Sequence, residues 1–113
     1  MRLKPGVSLT DLQPQMVLAS RIIENVFLEW GEPNLEITSG NDGTHAGRPV
    51  VGGTSDPHYE GLALDYSIHG VLPGSRRSLV GALQDALGTQ FVVLWEDQGS
   101  TNEHVHVQFG HIA

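Results

Sequence analysis

The chain has 113 residues, of which 39% are hydrophobic and 17% are charged, and this size and composition fit one globular domain over residues 1–113. It contains no cysteine, which excludes disulfide bonds and thiolate metal sites, so any metal ion must be bound by histidine and carboxylate side chains. The net charge is −7, with only six lysines and arginines, and this argues against a protein that binds nucleic acid.

The first half of the chain predicts one helix, one strand and a long loop. Apolar residues at three- and four-residue steps indicate a helix over Pro14–Trp30, which Asp11 would help to cap and Gly31 would end. The alternating segment Leu35–Ser39 predicts a strand. Gly40–Pro57 is dense in Gly, Asp, Asn, Pro and Thr, and so long an irregular segment in a small domain is typical of functional loops.

The second half predicts one more helix and three strands. The helix covers Ser75–Leu87, and the strands cover Leu62–Ile68, Phe91–Trp95 and His104–Phe109. The irregular order of helices and strands predicts an α+β fold, in which a small antiparallel or mixed sheet is backed by two helices.

The segment from His58 to Asp65 carries the first candidate metal ligands. Seven extended residues would span about 23 Å, so both side chains can bind one ion only if the chain turns back between them, for which Gly61 is suited. Asp65 lies within an otherwise apolar strand, where burial of an unpaired carboxylate is unfavourable and a metal ion would offset that cost. The alternative is that Asp65 faces solvent on a half-buried strand.

A second candidate group lies on the last predicted strand. Residues two apart on a strand share a face, so His104 and His106 point the same way while Val105 and Val107 pack behind them. Taken alone, such a His-x-His pair is as compatible with a structural role as with a metal-binding or catalytic role.

Together the two groups contain the parts of a zinc hydrolase. Such a site needs three protein ligands, one open coordination position and a nearby group that moves protons. His58, Asp65 and His106 would supply the ligands. Glu103 would supply the carboxylate that takes a proton from water and passes it to the leaving amine. The expected cofactor is therefore Zn²⁺.

The order and spacing of these residues resemble a known family. His-x(6)-Asp followed by Glu-x-x-His, with His-x-His ending on the same histidine, resembles the D-Ala-D-Ala metallopeptidase group. That group includes bacterial DD- and LD-carboxypeptidases, phage endolysins that cut peptidoglycan stem peptides, and the amino-terminal domain of hedgehog proteins. The segment from Ile37 to Ile68 looks like its small phage-associated branch. The matching elements here are Ser39-Gly40, Asp42–His45, Ser55, His58–Asp65, Val92–Glu96 and His104–Gln108.

The resemblance implies a zinc-dependent peptidase that hydrolyses peptide bonds of cell-wall peptidoglycan, as a D-Ala-D-Ala carboxypeptidase or an endolysin-like endopeptidase. It implies that His58, Asp65 and His106 are the zinc ligands and that Glu103 is the general base and acid. It also implies that His104 helps to hold the tetrahedral intermediate without binding the metal, within a hedgehog/DD-peptidase-like fold.

The loop departs from the family pattern at the place of a substrate-binding arginine. Many relatives carry Ser-Gly-Tyr-Arg, whereas Ser39-Gly40 is followed here by asparagine and aspartate. Arg48 or His45 would have to take the place of that arginine. Ser55 is a third candidate for substrate contact, although it is separated from His58 by what looks like one extra residue.

A further departure concerns the general base. Strict alternation along a strand places Glu103 on the face opposite His104 and His106. The chain would have to bend before His104 for Glu103 to reach a metal-bound water. Glu96 or Asp97 is the alternative base if it does not.

The N-terminus Met1–Gly6 lacks the apolar core of a signal peptide, and no stretch approaches the roughly 20 apolar residues of a membrane span. We therefore expect synthesis in the cytoplasm. The family resemblance implies action on the cell wall after phage-type release, with the peptidoglycan stem peptide as the partner, and we expect a monomer. The alternative functions are a zinc-binding module without catalysis, as hedgehog domains illustrate, and a phage structural protein.

Overall fold

A computed structural model describes residues 1–10, 12–40, 57–58 and 61–111. These residues form two helices, α1 (Pro14–Glu29) and α2 (Arg76–Leu87), the second preceded by a 3-10 turn over Pro73–Ser75. The strands are β1 (Arg2–Leu3), β2 (Glu36–Ser39), β3 (Ala63–Ser67), β4 (Phe91–Glu96) and β5 (His104–Phe109). The predicted α+β fold is confirmed.

The five strands form one mixed sheet in the order β1-β2-β3-β5-β4. The short strand β1 runs parallel to β2, and every other neighbouring pair is antiparallel. At the centre of the sheet β3 lies beside β5. This pairing brings Asp65 next to the His-x-His pair, although about forty residues separate them in sequence.

One hydrophobic core joins the apolar stripes of both helices to alternate residues of the strands. Its fully buried members include Met16, Ile23 and Phe27 of α1, Leu79 and Leu83 of α2, and Ile37, Leu64, Tyr66, Val105 and Val107 of the sheet. Because side chains alternate across a strand, the residues between these positions face away from the helices. Asp65, His104 and His106 therefore lie on the sheet face opposite the core.

The boundaries of the helices and strands agree closely with those expected from the sequence, and β5 covers the predicted residues. Strand β1 was not predicted, because two residues are too short to show a periodic pattern. The expected cap Asp11 lies outside the described residues, and Gln13 occupies the N-cap position of α1, where its side chain makes no capping hydrogen bond. Residues 41–56 of the predicted loop also lie outside the described part of the chain.

Candidate metal centre

The pairing of the strands gathers four polar side chains on the sheet face opposite the helices. Asp65 on β3 is directly opposite His106 on β5, and Glu96 on β4 is directly opposite His104 on β5. Directly paired residues of neighbouring strands share a face. The sheet register alone therefore places a carboxylate beside each of the two histidines.

His58 reaches the same face from a tight turn that precedes β3. The Gly61 N–H donates to the His58 carbonyl oxygen at 3.2 Å, and the Leu62 N–H donates to the Pro57 carbonyl oxygen at 2.9 Å. Gly61 has a φ of +71°, a backbone conformation that glycine adopts without strain. The predicted reversal of the chain at Gly61 is confirmed.

Three ligand atoms, one from each of His58, Asp65 and His106, converge at one point. Nε2 of His58 lies 3.3 Å from Oδ1 of Asp65 and 3.2 Å from Nδ1 of His106. Nδ1 of His106 lies 3.0 Å from the same Asp65 oxygen. A tetrahedral zinc site with bonds of about 2.0–2.1 Å has ligand atoms about 3.3 Å apart, so these separations match its edges.

The outer nitrogen of each imidazole is bound to a fixed acceptor. Nδ1 of His58 donates to the Gly40 carbonyl oxygen at 2.9 Å, and Nε2 of His106 donates to Oε1 of Gln108 at 2.7 Å. The Gln108 amide nitrogen donates in turn to the Gly110 carbonyl oxygen at 2.8 Å, which leaves Oε1 as the atom that faces His106. A neutral imidazole carries one proton, so the remaining lone pairs of both histidines point into the cluster.

These contacts make His58, Asp65 and His106 geometrically able to bind a metal ion. With both imidazoles neutral, two lone pairs and a carboxylate oxygen face one another, and only a shared proton or a cation satisfies all three. An outer hydrogen bond that fixes the tautomer and the ring orientation is also typical of metal-binding histidines. The structure thus brings together the three residues predicted as ligands, with one possible ligand atom of each facing the others.

The electrostatics of the cluster favour positive charge at its centre. Burial by itself would raise the pKa of Asp65, but hydrogen bonds to His106 and His58 hold that pKa well below its usual value. Burial would likewise lower the pKa of His106, yet the hydrogen bond to Asp65 and the charge of that carboxylate raise it. The ionised carboxylate therefore attracts a proton or, in its place, a metal cation.

His104 and Glu96 form a second pair beside the cluster. Nε2 of His104 donates to Oε1 of Glu96 at 3.0 Å and lies 3.8 Å from Oδ2 of Asp65, while Nδ1 donates to the Asn102 carbonyl oxygen at 2.7 Å. The hydrogen bond to Glu96 raises the pKa of His104 to about 9 and lowers the pKa of Glu96. His104 is thus a cation at neutral pH, next to a carboxylate that is 44% exposed.

Glu103, the predicted general base, is not brought together with the three ligands. Its buried carboxylate accepts hydrogen bonds from Nη1 of Arg76 at 2.9 Å, from Nε1 of Trp95 at 2.7 Å and from the Gly99 N–H at 3.2 Å. Burial alone would raise the pKa of Glu103, but these hydrogen bonds and the Arg76 charge lower it. Trp95 is paired with Val105, a core residue, so the carboxylate is held on the helix side, as strict alternation predicts.

The structure describes the two alternative bases but not the three expected substrate contacts. Of the two alternative bases, Glu96 accepts a hydrogen bond from His104. The Asp97 carboxylate accepts a hydrogen bond from the Asn102 side-chain amide at 2.9 Å and lies 4.0 Å from Nδ1 of His104. His45, Arg48 and Ser55, the expected substrate contacts, lie outside the described residues, and their roles stay predictions.

Two supporting groups of the site were not predicted from the sequence. Gln108 continues the two-residue alternation of His104 and His106, and this spacing could have placed it on their face. The Gly40 carbonyl oxygen, which orients His58, is a backbone acceptor and leaves no side-chain signal in the sequence.

No family model, no curated protein and no solved structure matches this chain. Among the described residues, no helix is both long enough and apolar enough to cross a membrane. Any assignment of function therefore depends on the geometry of the site and on the resemblance of its sequence motif.

Proposed function

We propose that this chain is a zinc-dependent peptidase whose metal ion is held by His58, Asp65 and His106. The observation that carries the proposal is the convergence of three ligand atoms within 3.3 Å of one another, with both imidazoles oriented by outer hydrogen bonds. Two imidazole nitrogens and one carboxylate oxygen are ligands typical of hydrolytic zinc sites, which use three protein ligands and leave one position open.

Two neighbouring residues are suited to move protons and to stabilise charge during hydrolysis. A bound zinc ion would polarise the scissile carbonyl and make an attacking water molecule more acidic. Glu96, half exposed beside the cluster, would accept a proton from that water and pass it to the leaving amine. His104 would donate its Nε2 proton to the developing oxyanion, in agreement with the role that the family resemblance implies.

We assign the proton-transfer role to Glu96 rather than to Glu103 because of their different surroundings. Both oxygens of Glu103 are already bound, to Arg76, Trp95 and the Gly99 N–H. One ligand atom of Glu96, in contrast, lies within 4.8 Å of ligand atoms of both Asp65 and His104.

The substrate is proposed from the motif alone. The segment from His58 to Asp65, together with the Glu-x-x-His ending at His106, resembles the D-Ala-D-Ala metallopeptidase group, whose substrates are peptidoglycan stem peptides. We therefore propose that the scissile bond is a peptide bond of the bacterial cell wall.

A zinc-binding module without hydrolytic activity is the second candidate. Glu103 occupies the acid and base position of the family motif, and its carboxylate already accepts hydrogen bonds from Arg76 and Trp95, which favours this candidate. Such a module would keep the ligands His58, Asp65 and His106 but lack a group that transfers protons.

Zinc analysis combined with digestion of defined stem peptides tests the proposal. We expect one tightly bound zinc ion per chain and peptide cleavage detected by mass spectrometry. Glu96→Gln should retain the tight zinc ion but lose at least about a hundredfold in kcat/KM, whereas Glu29→Gln, at an exposed position of α1, should behave as wild type. A folded wild-type protein that binds no zinc would refute the proposal. Zinc binding without cleavage would favour the non-catalytic module. A Glu103→Gln variant that binds zinc but is inactive would indicate that Glu103, and not Glu96, is the general base.

A further inference from the structure

The sheet face opposite the helices carries a second group of possible metal-ligand atoms beside the first. It consists of Asp65, Glu96 and His104, whose nitrogen and oxygen ligand atoms all lie within 4.8 Å of one another. Asp65 belongs to both groups, and it can do so because its carboxylate has two oxygens. We propose that this chain binds a second divalent transition-metal ion between Asp65, Glu96 and His104, and that this second ion is inhibitory.

The two oxygens of Asp65 point to different sets of partners. Oδ1 lies 3.3 Å from Nε2 of His58 and 3.0 Å from Nδ1 of His106, whereas Oδ2 lies 3.8 Å from Nε2 of His104. A carboxylate in this position bridges two ions, one on each oxygen. Sites with two metal ions hold them about 3.5–4 Å apart, a distance that a bridging carboxylate spans.

His104 is oriented in the same manner as the two histidines of the first site. Its Nδ1 donates to the Asn102 carbonyl oxygen at 2.7 Å, so Nε2 is the nitrogen left for a cation. Nε2 faces Oε1 of Glu96 at 3.0 Å and Oδ2 of Asp65 at 3.8 Å. A divalent cation between these three residues would contact one imidazole nitrogen and two carboxylate oxygens.

The composition of the second group indicates a weaker site than the first. It contains one imidazole instead of two, and it shares Asp65 with an ion that is already bound, which repels a second cation. The Glu96 side chain is 44% exposed, whereas the His58 side chain is 3% exposed. Water molecules would therefore complete the coordination of the second ion, and a millimolar rather than a trace concentration of metal would be needed to fill the site.

The inhibitory effect rests on the proposed function. Glu96 and His104 are the groups to which we assign proton transfer and oxyanion stabilisation. Coordination to a metal ion would occupy the carboxylate oxygen of Glu96 and the Nε2 lone pair of His104. Neither residue could then exchange a proton with substrate, so an excess of metal would decrease hydrolysis.

Titration of the metal-free protein with Co²⁺, followed by calorimetry and by cobalt absorption, tests the second site without reference to activity. We expect two binding steps in the wild type, a tight one and a weaker one. Glu96→Gln should keep the tight step and weaken the second at least about tenfold, and His104→Gln should do the same. Glu29→Gln, which removes an exposed carboxylate at the C-terminal end of α1, should retain both binding steps.

Two results would overturn the second site: a single binding step in the folded wild type up to millimolar Co²⁺, or two unchanged steps in both Glu96→Gln and His104→Gln. The outcome for the proposed function is separate. One binding step with peptide cleavage would reject the second ion and keep the peptidase, whereas two steps without cleavage would keep the second ion and reject the peptidase.

Discussion

The side-chain oxygen of Gln108 lies 2.7 Å from Nε2 of His106, and this hydrogen bond determines which nitrogen of the imidazole faces the metal site. Gln108 is 2% exposed, and its amide nitrogen is bound to the Gly110 carbonyl oxygen, so its orientation is fixed. The Nε2 proton of His106 is thereby held on the outside of the ring. Gln108 would thus support metal binding at the proposed site without contacting the ion.

Replacement of Gln108 by leucine should weaken zinc binding. The Nε2 proton of His106 would lose its acceptor and the ring would no longer be held in one tautomer, so we expect a decrease in zinc affinity of about ten- to a hundredfold. Gln108→Glu retains the acceptor for His106 but loses the donor to Gly110, so it should bind zinc less tightly than the wild type and more tightly than Gln108→Leu. Competition with a chelating dye measures both affinities. Equal affinities for the wild type and Gln108→Leu would contradict a supporting role.

The stability of the metal-free protein should decrease between neutral and alkaline pH. The pKa of His104 is raised from 6.5 to about 9 by Glu96, so the folded state binds this proton more tightly than the unfolded state. The resulting stabilisation is complete below pH 6.5 and is lost as the pH rises through about 9. Urea denaturation in the presence of a chelator, at about pH 6 and about pH 9.5, measures the difference. The raised pKa of His106 also makes stability decrease as the pH rises. Glu96→Gln removes the carboxylate that raises the pKa of His104, so the decrease in pH dependence in this variant measures the contribution of His104.

Glu103→Gln should destabilise the fold more than it alters metal binding. The substitution leaves the charge of Arg76 without its buried partner and weakens the hydrogen bond from Trp95, and loss of a charged hydrogen bond of this kind amounts to about 2 kcal/mol. Glu24→Gln is the matched control, because it removes only a surface ion pair with the N-terminus, which is worth at most about 1 kcal/mol. Urea denaturation compares the two. Loss of zinc from Glu103→Gln with an unchanged free energy of unfolding would argue that Glu103 acts at the metal.

Gly40→Ala should impair both folding and zinc binding. A Cβ atom at Gly40 would overlap the carbonyl oxygen of Ser8, so the backbone there must shift. The Gly40 carbonyl oxygen accepts the Nδ1 hydrogen bond of His58, and a shift would therefore misdirect this ligand. Gly81→Ala is the control: it has open space around the new methyl group and lies within α2, where alanine is favoured by about 0.5–1 kcal/mol. We expect lower zinc affinity for Gly40→Ala only.

The parts of the site that depend on local spacing could be predicted from the sequence. Alternation placed His104 and His106 on one face, and the turn at Gly61 followed from the need to bring His58 back to Asp65. The contact between Glu96 and His104 could not be predicted, because it depends on the register of two strands joined by a turn of seven residues. That β3 and β5 are neighbours could not be predicted either, because sequence patterns indicate which face of a strand a residue occupies but not which strands pair.

Strand β5 combines a core-forming set of residues and a proposed metal-binding set within six positions, Val105 and Val107 on one side and His104 and His106 on the other. A slip of one residue against β3 would exchange the two sets, placing the imidazoles in the core and the valines on the face that now carries the histidines. A slip of this strand would therefore remove the proposed metal ligand His106 from the site at the same time as it disrupts the core. A metal ion bound at this site would consequently act as a selective stabiliser of the correct pairing.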